Sequence, residues 1–224
     1  MTDDPIRSHV LSMRVIPRLS EDIKRQLSLP EGHTSIGIFT ADSDDVAYTA
    51  LDEATKKASV CAVYARSCYA GSANANTRLA GEFIGILSGP TPAEVRAGLD
   101  AVREMIGSRA FFRSACADDS IVYYAQCISR SGSYLSRQAG VAEGDALAYL
   151  IAPPLEALYG LDAALKAAQV RIAMFCGPPT ETNFGGGLLT GSRSACEAAC
   201  ETFARAVKEV AAAPLGTEEG DGQP

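Results

Sequence analysis

The sequence predicts an α+β protein made of two similar domains in tandem, and three observations point that way. The first is an internal repeat: the pattern of residues 31–107 returns over 143–212 in the same order. Glu31-Gly32 recurs as Glu143-Gly144. Leu51-Asp52, Ala54, Lys56, Ala58 and Val60 recur as Leu161-Asp162, Ala164, Lys166, Ala168 and Val170, at a constant shift of 110. Ile86-Leu87-Ser88-Gly89 returns as Leu188-Leu189-Thr190-Gly191. The second is size, since half of 224 residues is what one small hydrophobic core supports. The third is the alternation, in each copy, of short apolar runs with segments of helical periodicity. The domains expected are 1–112 and 113–215, followed by a polar, Gly-rich tail over 216–224 that reads as disordered. The repeat is also an internal control: what the fold needs should stand in both copies, and what stands in one copy only is a candidate for function.

In the first copy, residues 13–16 open a strand, and Ser20 is placed to cap a short helix in SEDIKRQL. Residues 34–40 form a second strand. A main helix follows over 42–58, with Ala47, Leu51, Ala54 and Ala58 at helical spacing. Residues 60–65 and 83–87 are apolar runs suited to buried strands. Thr91-Pro92-Ala93-Glu94 has the spacing of a capping box with Pro at the first helical position, ahead of a helix packed through Val95, Leu99, Val102 and Ile106. The second copy repeats the plan, with strands near 122–128, 147–151 and 170–175, a helix over 155–168 and a last helix from Ser194. Cys196, Cys200, Phe203, Val207 and Val210 share one face of that helix and read as core.

Composition sets limits on function. The chain is 47% hydrophobic and 21% charged, with no apolar run long enough to span a bilayer. Its N-terminus lacks the apolar stretch of a signal peptide, so the seven cysteines are expected reduced, in the cytoplasm. A net charge of -7 with scattered Lys and Arg argues against broad binding to nucleic acid or anionic membranes. The catalytic inventory is thin: the two histidines are His9 and His33, and CxxC, HExxH, GxSxG and phosphate-loop motifs are missing. A hydrolase using a cysteine would need a reactive, low-pKa thiol. The expectation is a protein that is not an enzyme.

Two features survive the comparison of copies. Asp42, Asp44 and Asp45 ahead of the main helix correspond to Ala152, Pro154 and Leu155, and Glu82 corresponds to a position near Phe184. The fold does not need these carboxylates. They can cap the helix and favour its dipole, or they can attract a small cation in a cleft. The second feature is a pair of long, Gly-rich loops at matching places, 66–77 and 177–187, which read either as surface loops or as segments that meet at a shared position.

The stretches ADSDDV, LDEATK, GPTPAEVRAGLDA, SRSGSYLS, EGDALAYLIAPPLEA, PPTETNF and LLTGSRSACEAAC occur in an order that resembles the tandem-domain shell proteins of bacterial microcompartments, those of ethanolamine utilisation among them. The resemblance runs to about Pro214. It implies two circularly permuted BMC shell domains, each a small antiparallel sheet with packed helices, and a pseudohexameric homotrimer that tiles with other shell proteins. It implies ethanolamine as ligand of a small acidic channel, with Asp44, Asp45 and Glu82 on the ammonium and Phe112, Thr182, Asn183 and Phe184 closing the pocket. It implies a central pore gated by the two loops, here Tyr69, Ala70, Gly71, Ser72 and Asn74 with Gly185, Gly186 and Gly187. No cofactor is required. Zinc or a corrinoid finds no support in the residues, Glu156 alone being a weak metal ligand. The runner-up is a soluble trimeric sensor of small amines that builds no shell.

Overall fold

The computed structural model describes residues 2–68 and 77–216. The first copy runs β2 (Val10–Ile16), α1 (Glu21–Gln26), β3 (Ser35–Ala41), α2 (Asp44–Lys57), β4 (Cys61–Ser67), β5 (Phe83–Gly89) and α3 (Pro92–Glu104), after a two-residue β1 (Pro5–Ile6). A π-helical turn over Met105–Arg109 extends α3. The chain continues through β6 (Phe112–Ser114) into the second copy. That copy runs β7 (Val122–Ile128), α4 (Ser133–Ala139), β8 (Ala146–Ala152), α5 (Pro154–Ala167), β9 (Val170–Cys176), β10 (Gly185–Gly191) and α6 (Arg193–Ala212). The strand order β2-β3-β5-β4 of one sheet is repeated as β7-β8-β10-β9 in the other, antiparallel throughout, with β6 and β1 added at its edge. The duplication read from the sequence is therefore a duplication of topology. The expected boundary at 112/113 falls inside β6.

Alternation along β8 shows how the layers are built. Ala146, Ala148, Leu150 and Ala152 face α5 and α6, in a core with Leu161, Cys196, Ala199, Cys200 and Phe203. Leu147, Tyr149 and Ile151 face the other way, into a larger core shared with α2, α3 and the first sheet. Both faces of β8 are covered, so all seven residues are buried. Among the described residues, the corresponding outer face of the first sheet, around Ile36, Ile38 and Ile86, packs against the flanks of α1, Leu19, Leu27 and Leu29.

The two copies are joined by a cap that crosses between them. Asp52 on α2 is fully buried, and its carboxylate accepts from the backbone N–H of Gly132 and of Leu135, each at 2.8 Å, at the start of α4. Gly132 has no side chain because Thr55 and the Asp52 carbonyl stand where a Cβ would lie.

Several expectations change. Thr91 does accept from the Glu94 N–H at 3.3 Å, but the Glu94 carboxylate turns away and accepts from the Ser59 N–H at 2.7 Å, so the reciprocal half of the capping box is absent. Ser20 precedes α1 without a side-chain cap. The segments β1, β6, α4 and β10 were not among the expected elements. The last of these corrects the second loop: it ends at Phe184, and Gly185, Gly186 and Gly187 are buried in β10, paired with β8. Glycine is needed there by close packing, since a Cβ on Gly186 or Gly187 would strike the carbonyl of Leu150 or Met174. Tyr69, Ala70, Gly71, Ser72 and Asn74 lie outside the described residues, as does the tail beyond Gly216.

Candidate functional site

The site is built at the N-terminus of α2, where Asp44 and Asp45 form the first helical turn. Both are only 7% exposed, which is rare for carboxylates. The helix dipole favours negative charge here, and Asp44 Oδ1 accepts from the Asp45 N–H at 2.8 Å. Asp45 is held from the other copy, because the Tyr149 hydroxyl on β8 donates to its Oδ1 at 2.6 Å. The third carboxylate, Glu82, stands just before β5. Its N–H donates to the Ala41 carbonyl and its own carbonyl accepts from Cys68, both at 2.9 Å. Gly81 before it has φ +64, and the Ala41 carbonyl occupies the place of a Cβ, so only glycine brings the chain in this closely.

These groups line a cavity of about 270 Å³. Asp42, Asp44, Asp45 and Glu82 form its acidic side; Phe112, Val122, Thr182 and Phe184 form the opposite wall, and Ile6, Arg7 and Ser8 come from the N-terminal segment. Phe112 and Phe184 meet edge to face at 5.8 Å. The same two aspartates also border a second cavity of about 220 Å³, among Tyr48, Ser67, Tyr134, Tyr149, Cys176 and Glu181.

The electrostatics follow from burial. Desolvation, and then the neighbouring Asp44, push the Asp45 carboxyl well above the usual range, against the opposing Tyr149 hydrogen bond. Asp44 is raised by burial too, partly offset by the Ser67 hydroxyl and the Asp45 N–H. Glu82 is pushed up to about 7 by burial and by Asp44 and Asp42. Of the residues lining the first cavity Arg7 is a permanent cation, and Arg66 lines the second. A small cation entering the cavity would relieve this repulsion, and an aromatic edge and a threonine hydroxyl are at hand for the rest of such a guest.

Of the expected ligand residues, Asp44, Asp45, Glu82, Phe112, Thr182 and Phe184 are brought together, and Asn183 is not. Asn183 instead turns the loop at φ +66, its N–H donating to the Thr180 carbonyl at 3.1 Å. Glu156 is half-buried in the first turn of α5, and no group of three or more His, Cys, Asp or Glu with metal-holding geometry occurs among the described residues. Sequence reasoning missed Tyr149, Ser67, and the pairing of Asp42 with His9. Tyr149 had a signal: the alternation in ALAYLIA puts its ring on a buried face, where a phenol requires a partner.

The BMC domain family matches residues 35–116. The match begins at β3, so β2, which completes the first sheet, and α1 precede it. The bacterial microcompartment shell protein EutL of Clostridium perfringens (strain 13 / Type A) is 62% identical over 216 residues, covering 96% of this chain and all of the relative. The crystal structure of ethanolamine utilization protein EutL from Leptotrichia buccalis C-1013-b superposes with a TM-score of 0.94 at 63% identity, over 96% of this chain and 100% of that one. The trimeric bacterial microcompartment shell protein PduB shares the fold at 19% identity, with a TM-score of 0.71 over 92% of this chain and 90% of its own. With its doubled sheet-and-helix topology and such identity over nearly its whole length, the chain belongs to the EutL family of bacterial microcompartment shell proteins.

Proposed function

We propose that three copies of this shell protein close into a flat ring, that the acidic cavity binds small primary amines such as ethanolamine, and that the bound amine biases a gate at the centre of the ring. The observation that carries the amine reading is the buried pair Asp44 and Asp45 with Glu82 beside it, a feature of the first copy only. At the equivalent place in the second copy stand Pro154 and Leu155, and Leu155 is 60% exposed. Carboxylates kept out of water by the fold, at a cost, are suited to a guest that is itself a cation.

Self-assembly is supported by what the second copy leaves uncovered. Within the chain, sheet two and α4 cover α2; Leu135 on α4 is 2% exposed there. The counterpart of Leu135 on α1 is Ile23, 47% exposed, and α5 shows Leu158 and Tyr159 at 49% and 51% where α2 has Tyr48 and Thr49. The outer face of the first sheet thus lacks the helix that its twin has, and α5 lacks the sheet. Each completes the other between chains, in a head-to-tail contact that closes after three chains of two domains. The facing ends of β4 and β5, and the loop joining β9 to β10, then stand at one radius around the axis. That loop supplies Thr182 and Phe184 to the cavity, which gives an amine a direct contact with the gate and hence a means to distinguish its states.

Calorimetric titration with ethanolamine tests this. The wild-type protein should bind, and Asp45→Asn should weaken binding by about tenfold or more while light scattering still reports a trimer. Equal binding by the variant would remove the amine site, and a monomeric wild type would remove the ring.

A further inference from the structure

The first residues of the chain depart from the repeat. Ahead of β7 the chain makes a hairpin, β6 pairing with β7 in its own sheet; ahead of β2 it does not. There β1 crosses to the other copy and pairs with β6, Pro5 opposite Arg113 and Ile6 opposite Phe112. Residues 3–9 therefore stride from the second sheet to the first, and Ile6, Arg7 and Ser8 form one wall of the acidic cavity on the way.

Both ends of this segment are pinned by side chains. Asp3 Oδ1 accepts from the Tyr123 hydroxyl at 2.5 Å, and Lys208 on α6 donates to both Asp3 oxygens, at 3.1 and 2.9 Å. At the other end the His9 N–H donates to Asp42 Oδ1 at 2.7 Å, and the His9 ring Nδ1 lies 2.9 Å from Oδ2. Between them the ladder is short, and Pro5 has no N–H to give it. Arg7 donates to the Gly107 carbonyl, at 3.2 Å, and lies over Phe111. The remaining walls belong to a helix, a central strand start, a paired sheet and a loop closed by the Phe112–Phe184 contact. Surface-anchored segments with few buried contacts open at the lowest free energy. Asp44 and Asp45 are only 7% exposed, and displacing residues 6–8 removes one wall and widens the way to them.

We propose that residues 3–9 are a strap that closes the acidic cavity, and that Asp3 and His9 are the positioning residues that latch it, so that small amines enter and leave when the latch releases. The strap rests on the amine reading of the cavity given above. Asp42 links the two, since it anchors His9 and also faces Glu82.

The test compares the full-length wild type with Asp3→Ala and His9→Ala. Amide hydrogen exchange is followed at residues 6–8 and 114, and ethanolamine association and dissociation by magnetic resonance line shapes. The strap predicts that either substitution speeds exchange of those amides by about tenfold while β3 and β5 amides are unchanged. It predicts that both ethanolamine rates rise together, leaving the dissociation constant within about threefold. Unchanged strap exchange overturns the latch. A faster dissociation rate alone, with association unchanged, makes the segment a passive wall and overturns the gate. A wild type that binds no ethanolamine overturns the amine reading, and with it a strap for amines.

Discussion

At the scale of single residues, two aspartates and a glutamate are folded into a place that gives each a reason to be protonated and a cation a reason to bind. Asp45 is caught between burial, Asp44 and the Tyr149 hydroxyl, and Asp45→Asn keeps the last contact while removing the charge. The pH dependence follows from Glu82, raised from 4.5 to about 7. An ammonium needs the carboxylate, so ethanolamine affinity should climb as pH rises from 6 to 8, read by calorimetry, and Glu82→Gln should flatten that profile. Folding stability has the opposite slope. Between 4.5 and about 7 the folded chain holds a proton that the unfolded chain has lost, so this contribution is full below 4.5 and is lost as pH rises through 7. Glu82 is half-buried, and with solvent screening the effect is about 1 kcal/mol. Glu82→Gln should accordingly raise the melting temperature at pH 8 and not at pH 4, in thermal scans without amine. The carboxylates were legible because copy-against-copy comparison singles out acids absent from Pro154 and Leu155. Tyr149, His9 and Ser67 were not, because their roles come from contacts made across 19 to 104 residues of chain.

At the scale of elements, the links between copies matter more than the elements themselves. Asp52 stands within α2 as an exposed-looking acid in LDEATK, identical in the repeat to Asp162, yet it is the fully buried cap of α4. Asp52→Ala leaves two backbone donors of α4 unpaired in a dry interface and should cost about 3 kcal/mol, measured by urea unfolding. Gly132→Ala, which drives a methyl against Thr55 and the Asp52 carbonyl, should destabilise by about 2 kcal/mol in the same assay. The strands and helices with strong periodicity, such as α3 through Val95, Leu99 and Val102, were visible in the sequence. The glycines of β10 read as loop because composition reports conformational freedom, whereas here they serve close strand packing under Leu150 and Met174.

At the scale of the whole molecule, the proposed ring extends the pattern of this chain into its neighbours. In the proposed ring, Ile23→Asp and Leu158→Asp damage opposite sides of one head-to-tail contact. Each alone should give mainly monomers by light scattering. A mixture of the two should give heterodimers and no trimers, since one intact contact remains per pair and the ring cannot close. Trimers formed by both variants would mean that these surfaces do not meet. The acidic cavity lies in the version of this interface that is internal to the chain, between α2 and sheet two. At the equivalent place the second copy presents Pro154 and Leu155, so the carboxylate cluster is confined to the interface that is internal to the chain.

The sequence by itself determined the duplication, the order of the main helices and strands, the family, and which carboxylates lack a twin. Those are local or comparative properties, carried by periodicity and by the repeat. Only the tertiary structure decided that Tyr149 and Asp45 are partners, that Asp52 caps a helix of the other copy, and that residues 6–8 wall the cavity. These depend on how two sheets and their helices stack. Stacking is set by the sum of many weak apolar contacts, and residue spacing along the chain does not record it.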